Sequence, residues 1–172
     1  MDIRQKVLAG SAVVILAAGI VSAQTAQRLR RADSDFITKA AQGGMAEVEM
    51  GRIAVQRGTN DDVKRFGQHM VDDHTKANDE LKGVASQKGI AVPSNVDPKQ
   101  KATMDRLSNL SGAAFDRAYM QDMVKDHQED VAEFQREANS GADPDVKNFA
   151  AKTLPTLQEH LKMAQDAYAK LK

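Results

Sequence analysis

The feature that most constrains this fold is a helical repeat of apolar residues that runs through four long segments of the chain. In each segment apolar side chains recur every three or four residues, which is the spacing of one face of an α-helix. Glycines, or an aspartate followed by proline, separate the segments, and β-branched runs are scarce after the N-terminus. The pattern predicts an all-α protein. The predicted long helices are residues 34–58, 61–88, 112–139 and 144–171.

The connections between these helices favour a particular topology. Two of them are short, so the first and second helices, and the third and fourth, should be antiparallel neighbours. The middle connection, residues 89–111, contains Asp97-Pro98, which predicts a short extra helix. A helix of about 28 residues is about 42 Å long, whereas 23 extended residues can reach about 75 Å. We therefore expect a ferritin-like four-helix bundle with a long crossover, rather than a plain up-down-up-down bundle.

Charge and composition exclude several classes of protein. The chain has 24 Lys and Arg against 24 Asp and Glu, so its formal net charge is zero. A nucleic-acid partner is not expected, because binding one requires a basic surface that displaces counterions. Cysteine is absent, which excludes disulfides, thiolate metal sites and cysteine nucleophiles. No phosphate-binding glycine loop or nucleophile elbow marks an enzyme.

The N-terminus has the three-part pattern of a secretory signal peptide. Arg4 and Lys6 precede an uncharged apolar run, residues 7–21, and small residues at positions 21 and 23 fit a cleavage site after Ala23. The run is shorter than the ~20 residues of a membrane-spanning helix, although an uncleaved anchor stays an alternative. We predict a signal peptide at residues 1–23, a flexible lead-in at 24–33 and a four-helix domain at 34–172. The mature chain would be periplasmic or secreted and would have no transmembrane segment.

One polar residue interrupts the apolar face of each predicted long helix. These residues are Glu47, His74, His127 and His160. Each lies within about one turn of the middle of its helix, so the four side chains should meet at one level of the bundle. Three imidazoles and a carboxylate suit Zn, Fe, Mn or Cu. Because metal ligation needs neutral histidine, we expect binding to weaken below pH ~6.5. The alternative is a buried polar layer that binds no metal.

Each of the three histidines directly follows an acidic residue: Asp73, Asp126 and Glu159. Neighbouring residues on a helix point about 100° apart, so these acids cannot face the same way as their own histidines. They could instead orient a histidine of the adjacent helix from outside the ligand set, or simply face solvent. Tyr119, two turns before His127, could donate a hydrogen bond into the polar layer.

Three methionines lie one turn from the histidines: Met70, Met123 and Met163. In a ferritin-like topology all three would lie on the same side of the histidine level. Their thioether sulfurs would favour copper as ligands. Methionine is also a common core residue, so a purely packing role stays open.

Several of these residues together resemble a known bacterial family. They are Met70-Val-Asp-Asp-His74, Gly112 with Phe115-Asp116 and Tyr119, and Leu154-Pro155 with His160. The sequence is similar to exported proteins of a domain-of-unknown-function family, often labelled outer-membrane proteins. The resemblance implies a ferritin-like four-helix fold and export, and it implies no activity. The paired Glu-x-x-His motifs of di-iron proteins are absent at the site, so ferroxidase activity does not follow.

The sequence therefore favours an exported four-helix protein that binds a transition metal, in envelope stress or metal homeostasis. A structural or interaction module of the cell envelope, with the histidines as packing, is the alternative. A small metalloenzyme is a weaker third. An envelope protein or a second copy of the chain is left open as a partner.

Overall fold

The computed structural model describes the backbone of residues 12–171 and the side chains of residues 31–171. These residues form five α-helices and no strand, so the all-α prediction is confirmed. The helices are α1 (Ala12–Arg57), α2 (Asp61–Gln87), α3 (Pro98–Ser108), α4 (Gly112–Ser140) and α5 (Pro144–Lys170).

The helix starts follow from local capping chemistry. The side chain of Asn60 accepts a hydrogen bond from the Asp62 amide at the start of α2. The side chain of Asp97 accepts from two amides at the start of α3, and Asp143 does the same for α5. Each supplies an acceptor for backbone donors that have no partner within the helix. Gly112 has a φ of 59° at the start of α4, a conformation that glycine adopts without steric cost.

The first helix begins earlier than predicted. The sequence predicts its start at residue 34, but α1 is continuous from Ala12 through residues 24–33, which contain neither glycine nor proline. Asp33, expected in a flexible lead-in, is buried and accepts hydrogen bonds from the amides of Ala142 and Asp143, both at 2.9 Å. Residues 1–11 of the expected signal peptide lie outside the described residues, so cleavage remains a prediction.

Two hairpins of long helices make up most of the domain. Helix α1 packs along α2, and α4 packs along α5, while the short α3 packs against α1 and α4. At one end, Asp116 near the start of α4 accepts hydrogen bonds from the amides of Thr59 and Asn60, both at 3.0 Å. Asp33 ties α1 to the α4–α5 turn in the same way. Each inter-helix turn is therefore fastened by a buried aspartate of the other hairpin.

The interior contains two apolar cores. The first core is built around Phe66, Met70, Phe115, Tyr119 and Met123, and the second around Phe36, Leu81, Phe134, Phe149 and Leu157. Along α2, α4 and α5 the boundary between the two cores is occupied by a histidine. This arrangement places buried polar groups at mid-bundle, between two apolar cores.

Candidate metal centre

The structure brings together the four residues that interrupt the apolar faces. Glu47, His74, His127 and His160 come from four different helices, and all are buried, with exposures of 1%, 6%, 0% and 2%. The three imidazole ring centroids lie 5.4 to 5.9 Å apart. One ring nitrogen of each histidine lies within 4.8 Å of the corresponding nitrogens of the other two. The three rings therefore surround a single small volume.

Local packing holds these rings in place. The Phe66 ring packs edge-to-face with the rings of His127 and His160, with centroids 6.1 and 6.4 Å apart. Near Glu47, α1 approaches α2 closely, as shown by Gly44, where a Cβ atom would lie 2.1 Å from the side-chain oxygen of Asn78. This close approach brings Glu47 within reach of His74.

One nitrogen of each imidazole is already oriented by a neighbour. The Nδ1–H of His127 donates to the carbonyl of Met123 at 3.0 Å. The Nε2–H of His160 donates to Asp73 Oδ2 at 2.9 Å, and His74 Nδ1 lies 2.9 Å from Glu47 Oε2. The other nitrogens, Nε2 of His74, Nε2 of His127 and Nδ1 of His160, are buried without a hydrogen-bond partner among the described residues. This division is typical of metal-binding histidines, whose outer nitrogen fixes the ring while the inner one carries a lone pair.

Burial keeps these rings neutral. It lowers the pKa of His74 to about 4 and that of His127 to about 3, and the neighbouring histidines lower the pKa of His127 further. Burial also lowers the pKa of His160, although its hydrogen bond to Asp73 opposes the shift. The pKa of Glu47 is raised well above its usual range, chiefly by burial. At neutral pH all three imidazoles therefore present lone pairs.

A second group of ligand atoms adjoins the histidines. Carboxylate oxygens of Glu47, Asp126 and Asp130 lie within 4.8 Å of one another. Asp126 was expected to orient a histidine, but it forms no hydrogen bond with one in the described part of the chain. Asp130 was not predicted. Its signal was its position three residues after His127 and four after Asp126, which places all three on one side of α4.

Of the other residues predicted to support the site, only some contact the histidines. Asp73, on a neighbouring helix, accepts a hydrogen bond from His160. Glu159 is exposed and has no ion pair or hydrogen bond to a histidine within residues 31–171. Tyr119 is buried and stacks on Phe115, but its hydroxyl has no hydrogen-bond partner in that range, in contrast to the expected bond into the polar layer. His69, the fourth histidine of the chain, is exposed.

The methionines lie in the first core rather than in the ring cluster. Met70 and Met123 are fully buried there, and Met163 packs against the same core from a partly exposed position. Met70 and Met123 each lie one helical turn before a histidine of the cluster. The three imidazoles thus form a cluster of their own, and the methionines belong to the first core beside it.

Several solved structures of other proteins have a fold similar to that of this chain. A DUF305 fragment from Deinococcus radiodurans matches with a TM-score of 0.71 and 14% identity, over 81% of this chain and 96% of that one. A DUF305 protein from Streptomyces coelicolor matches with a TM-score of 0.69 and 19% identity, over 81% and 93%. CopM in its Cu(II)-bound form matches with a TM-score of 0.69 and 17% identity, over 81% and 97%. At these identities the likeness shows the fold alone.

Two further findings concern the sequence as a whole. Within the described residues, no helix has both the length and the hydrophobicity to span a membrane. No curated protein matches the sequence. A family model matches residues 19–167, which is most of the chain, so this protein belongs to the bacterial domain-of-unknown-function family DUF4142.

Proposed function

We propose that this protein binds one transition-metal ion, with copper preferred, through His74, His127 and His160. The observation that carries the proposal is the set of three buried ring nitrogens without partners. A buried polar atom that makes no hydrogen bond costs about 1–3 kcal/mol. A layer that served only packing would incur that cost at each ring, whereas a bound ion uses all three lone pairs.

The choice of copper has two supports. Imidazole donors bind Zn, Cu, Fe and Ni, and among divalent first-row ions Cu²⁺ binds a given site most tightly. CopM, which has a similar fold, is known in Cu(I)- and Cu(II)-bound forms. Glu47 lies 3.4 Å from His127 Nε2 and is the nearest carboxylate available as a fourth donor. Met70 and Met123, one turn away, would supply sulfur to Cu⁺.

We also propose that the helices form a ferritin-like bundle and that the protein is exported. The hydrogen bonds of Asp116 support parallel α2 and α4, because they place the start of one helix beside the start of the other. Residues 88–111, with α3, would then form the crossover of a ferritin-like bundle.

Export is supported by the N-terminal signal pattern, and the similar Streptomyces coelicolor protein is described as secreted. An exported copper-binding protein would serve metal homeostasis or envelope stress.

Thermal unfolding with and without copper tests the metal site. At a free concentration of 100 times Kd, a ligand specific for the native state stabilises it by about 2.7 kcal/mol, or roughly 8–10 °C in Tm for a domain of this size. We expect that rise for the wild type and for His69→Ala, whose imidazole is exposed. His127→Ala should lose most of it. Zn²⁺ should give a smaller rise than Cu²⁺.

Each variant is compared with itself in the absence of metal, so any loss of stability from the mutation itself cancels. An absent shift in the wild type would contradict the proposal. Equal shifts in His69→Ala and His127→Ala would contradict it as well, because copper would then bind elsewhere.

A further inference from the structure

Three carboxylates lie together beside the histidine cluster. Oxygens of Glu47, Asp126 and Asp130 are within 4.8 Å of one another. Glu47 is 1% exposed, and the two aspartates are partly buried. None of the three forms an ion pair with Lys or Arg in the described part of the chain. Like charges held this close repel each other unless a cation or shared protons neutralise them.

Two buried atoms, one inside the acidic cluster and one beside it, point to a ligand at this position. Glu47 Oε1 is buried and accepts no hydrogen bond from an N–H or hydroxyl group among the described residues. The carboxyl groups of Glu47 and Asp130 are within hydrogen-bonding reach of each other, and the other oxygen of Glu47 lies beside His74. His127 Nε2, from a fully buried ring, lies 3.4 Å from Glu47 Oε1 and is also unpartnered. Both atoms therefore lack the partner that a buried polar group normally has.

The carboxylates can be reached from solvent. Asp126 and Asp130 line an open cleft of about 370 Å³ between α1, α3 and α4, together with Gly43 of α1. Gly43 and Asp130 also border a cavity of about 20 Å³ that touches Glu47 and His74. A cavity of that size has room for about one water molecule or a small ion. The cleft thus reaches Asp126 and Asp130 from outside, and the small cavity lies between Asp130, Glu47 and His74.

We propose that Glu47, Asp126 and Asp130 form a second cation position, which takes a hard divalent ion such as Mn²⁺. Oxygen donors select Mg, Ca and Mn, whereas the adjacent imidazoles select Cu or Zn, so the two positions differ in the ions they prefer. The inference rests on the proposed copper site in that Glu47 is shared and that His127 Nε2, a proposed copper donor, lies 3.4 Å from Glu47 Oε1. The carboxylate position requires no metal at the histidines.

The experiment is a Mn²⁺ titration followed by electron paramagnetic resonance, in which the signal of hydrated Mn²⁺ decreases on binding. We expect the wild type to bind one Mn²⁺ and Asp130→Asn to bind it at least tenfold more weakly. Glu129→Gln is the matched control, because Glu129 is an exposed acid of the same cleft outside the carboxylate group. It should change Kd less than threefold. Asp126→Asn provides a second test if Asp130→Asn fails to fold.

His160→Ala separates this inference from the copper proposal. His160 bonds Asp73 and is not among the three carboxylates, so the variant should lose copper binding and keep Mn²⁺ binding. Absence of Mn²⁺ binding to the wild type would overturn the inference. So would an equal loss in Glu129→Gln and Asp130→Asn, which would mean that the cleft attracts cations only through its overall charge. Mn²⁺ binding without copper binding would leave the inference standing and refute the copper site.

Discussion

The polar side chains that matter most for this protein are those buried inside the helix bundle. Glu47, His74, His127 and His160 could be recognised in the sequence because each is a polar residue on an otherwise apolar helix face. Asp130 could not be recognised in the same way, since it lies in an acidic stretch that looks like a solvent-exposed helix surface. Its partial burial depends on how closely α1 approaches α4, which is a property of tertiary packing.

Burial also changes the expected pH dependence of copper binding. With ordinary histidine pKa values near 6.5, three imidazoles would be mostly protonated at pH 5.5, and affinity would fall about 10³-fold from pH 7.5. The folded protein lowers the pKa of His74 to about 4 and that of His127 to about 3. Fewer protons then compete with the metal, so we expect a loss of less than about tenfold, measured by competition titration at both pH values. A loss near 10³-fold would show that the imidazoles are not held neutral by burial.

Most helix boundaries could be predicted from the sequence, because the residues that cap or break a helix act on their immediate neighbours in the chain. Asn60, Asp97 and Asp143 cap α2, α3 and α5 where the sequence places them. The start of α1 was predicted wrongly at residue 34, because a residue such as Ser34, which can cap a helix, need not begin one when no glycine or proline precedes it. Which helices touch closely depends on glycines. Cβ atoms at Gly51 and Gly67 would lie 2.6 and 2.8 Å from backbone oxygens of the opposite helix.

Substitution of these glycines tests the α1–α2 contact. Gly51→Ala would force the two helices apart, because the new methyl group would meet the Gly67 carbonyl oxygen at 2.6 Å and Met70 Cβ at 3.0 Å. We expect a loss of about 1–3 kcal/mol in the free energy of unfolding, measured by urea denaturation. Gly83→Ala is the control, since no atom lies within 4 Å of a Cβ there and alanine favours helix, so it should stabilise by up to about 1 kcal/mol. Equal effects of the two substitutions would contradict the close contact.

At the scale of the whole molecule, the histidines join parts of the chain that are distant in sequence. The first hairpin contributes Glu47 and His74, and the second contributes His127 and His160. Buried Asp33 and Asp116 fasten each hairpin to the turn of the other, so the relative height of the helices is fixed at both ends. An ion bound by residues of both hairpins would therefore link them at mid-bundle. Sequence periodicity could predict the common height, but the ring orientations come from neighbours such as Met123 and Asp73.

The most direct test is anomalous diffraction at the copper edge from crystals of the copper-loaded protein. We predict a single strong peak inside the bundle, at bonding distance from one ring nitrogen of each of His74, His127 and His160. A peak coordinated by the sulfurs of Met70 and Met123 in place of the imidazoles would contradict this site. Copper found only at exposed His69, with no peak between the three buried rings, would contradict it too.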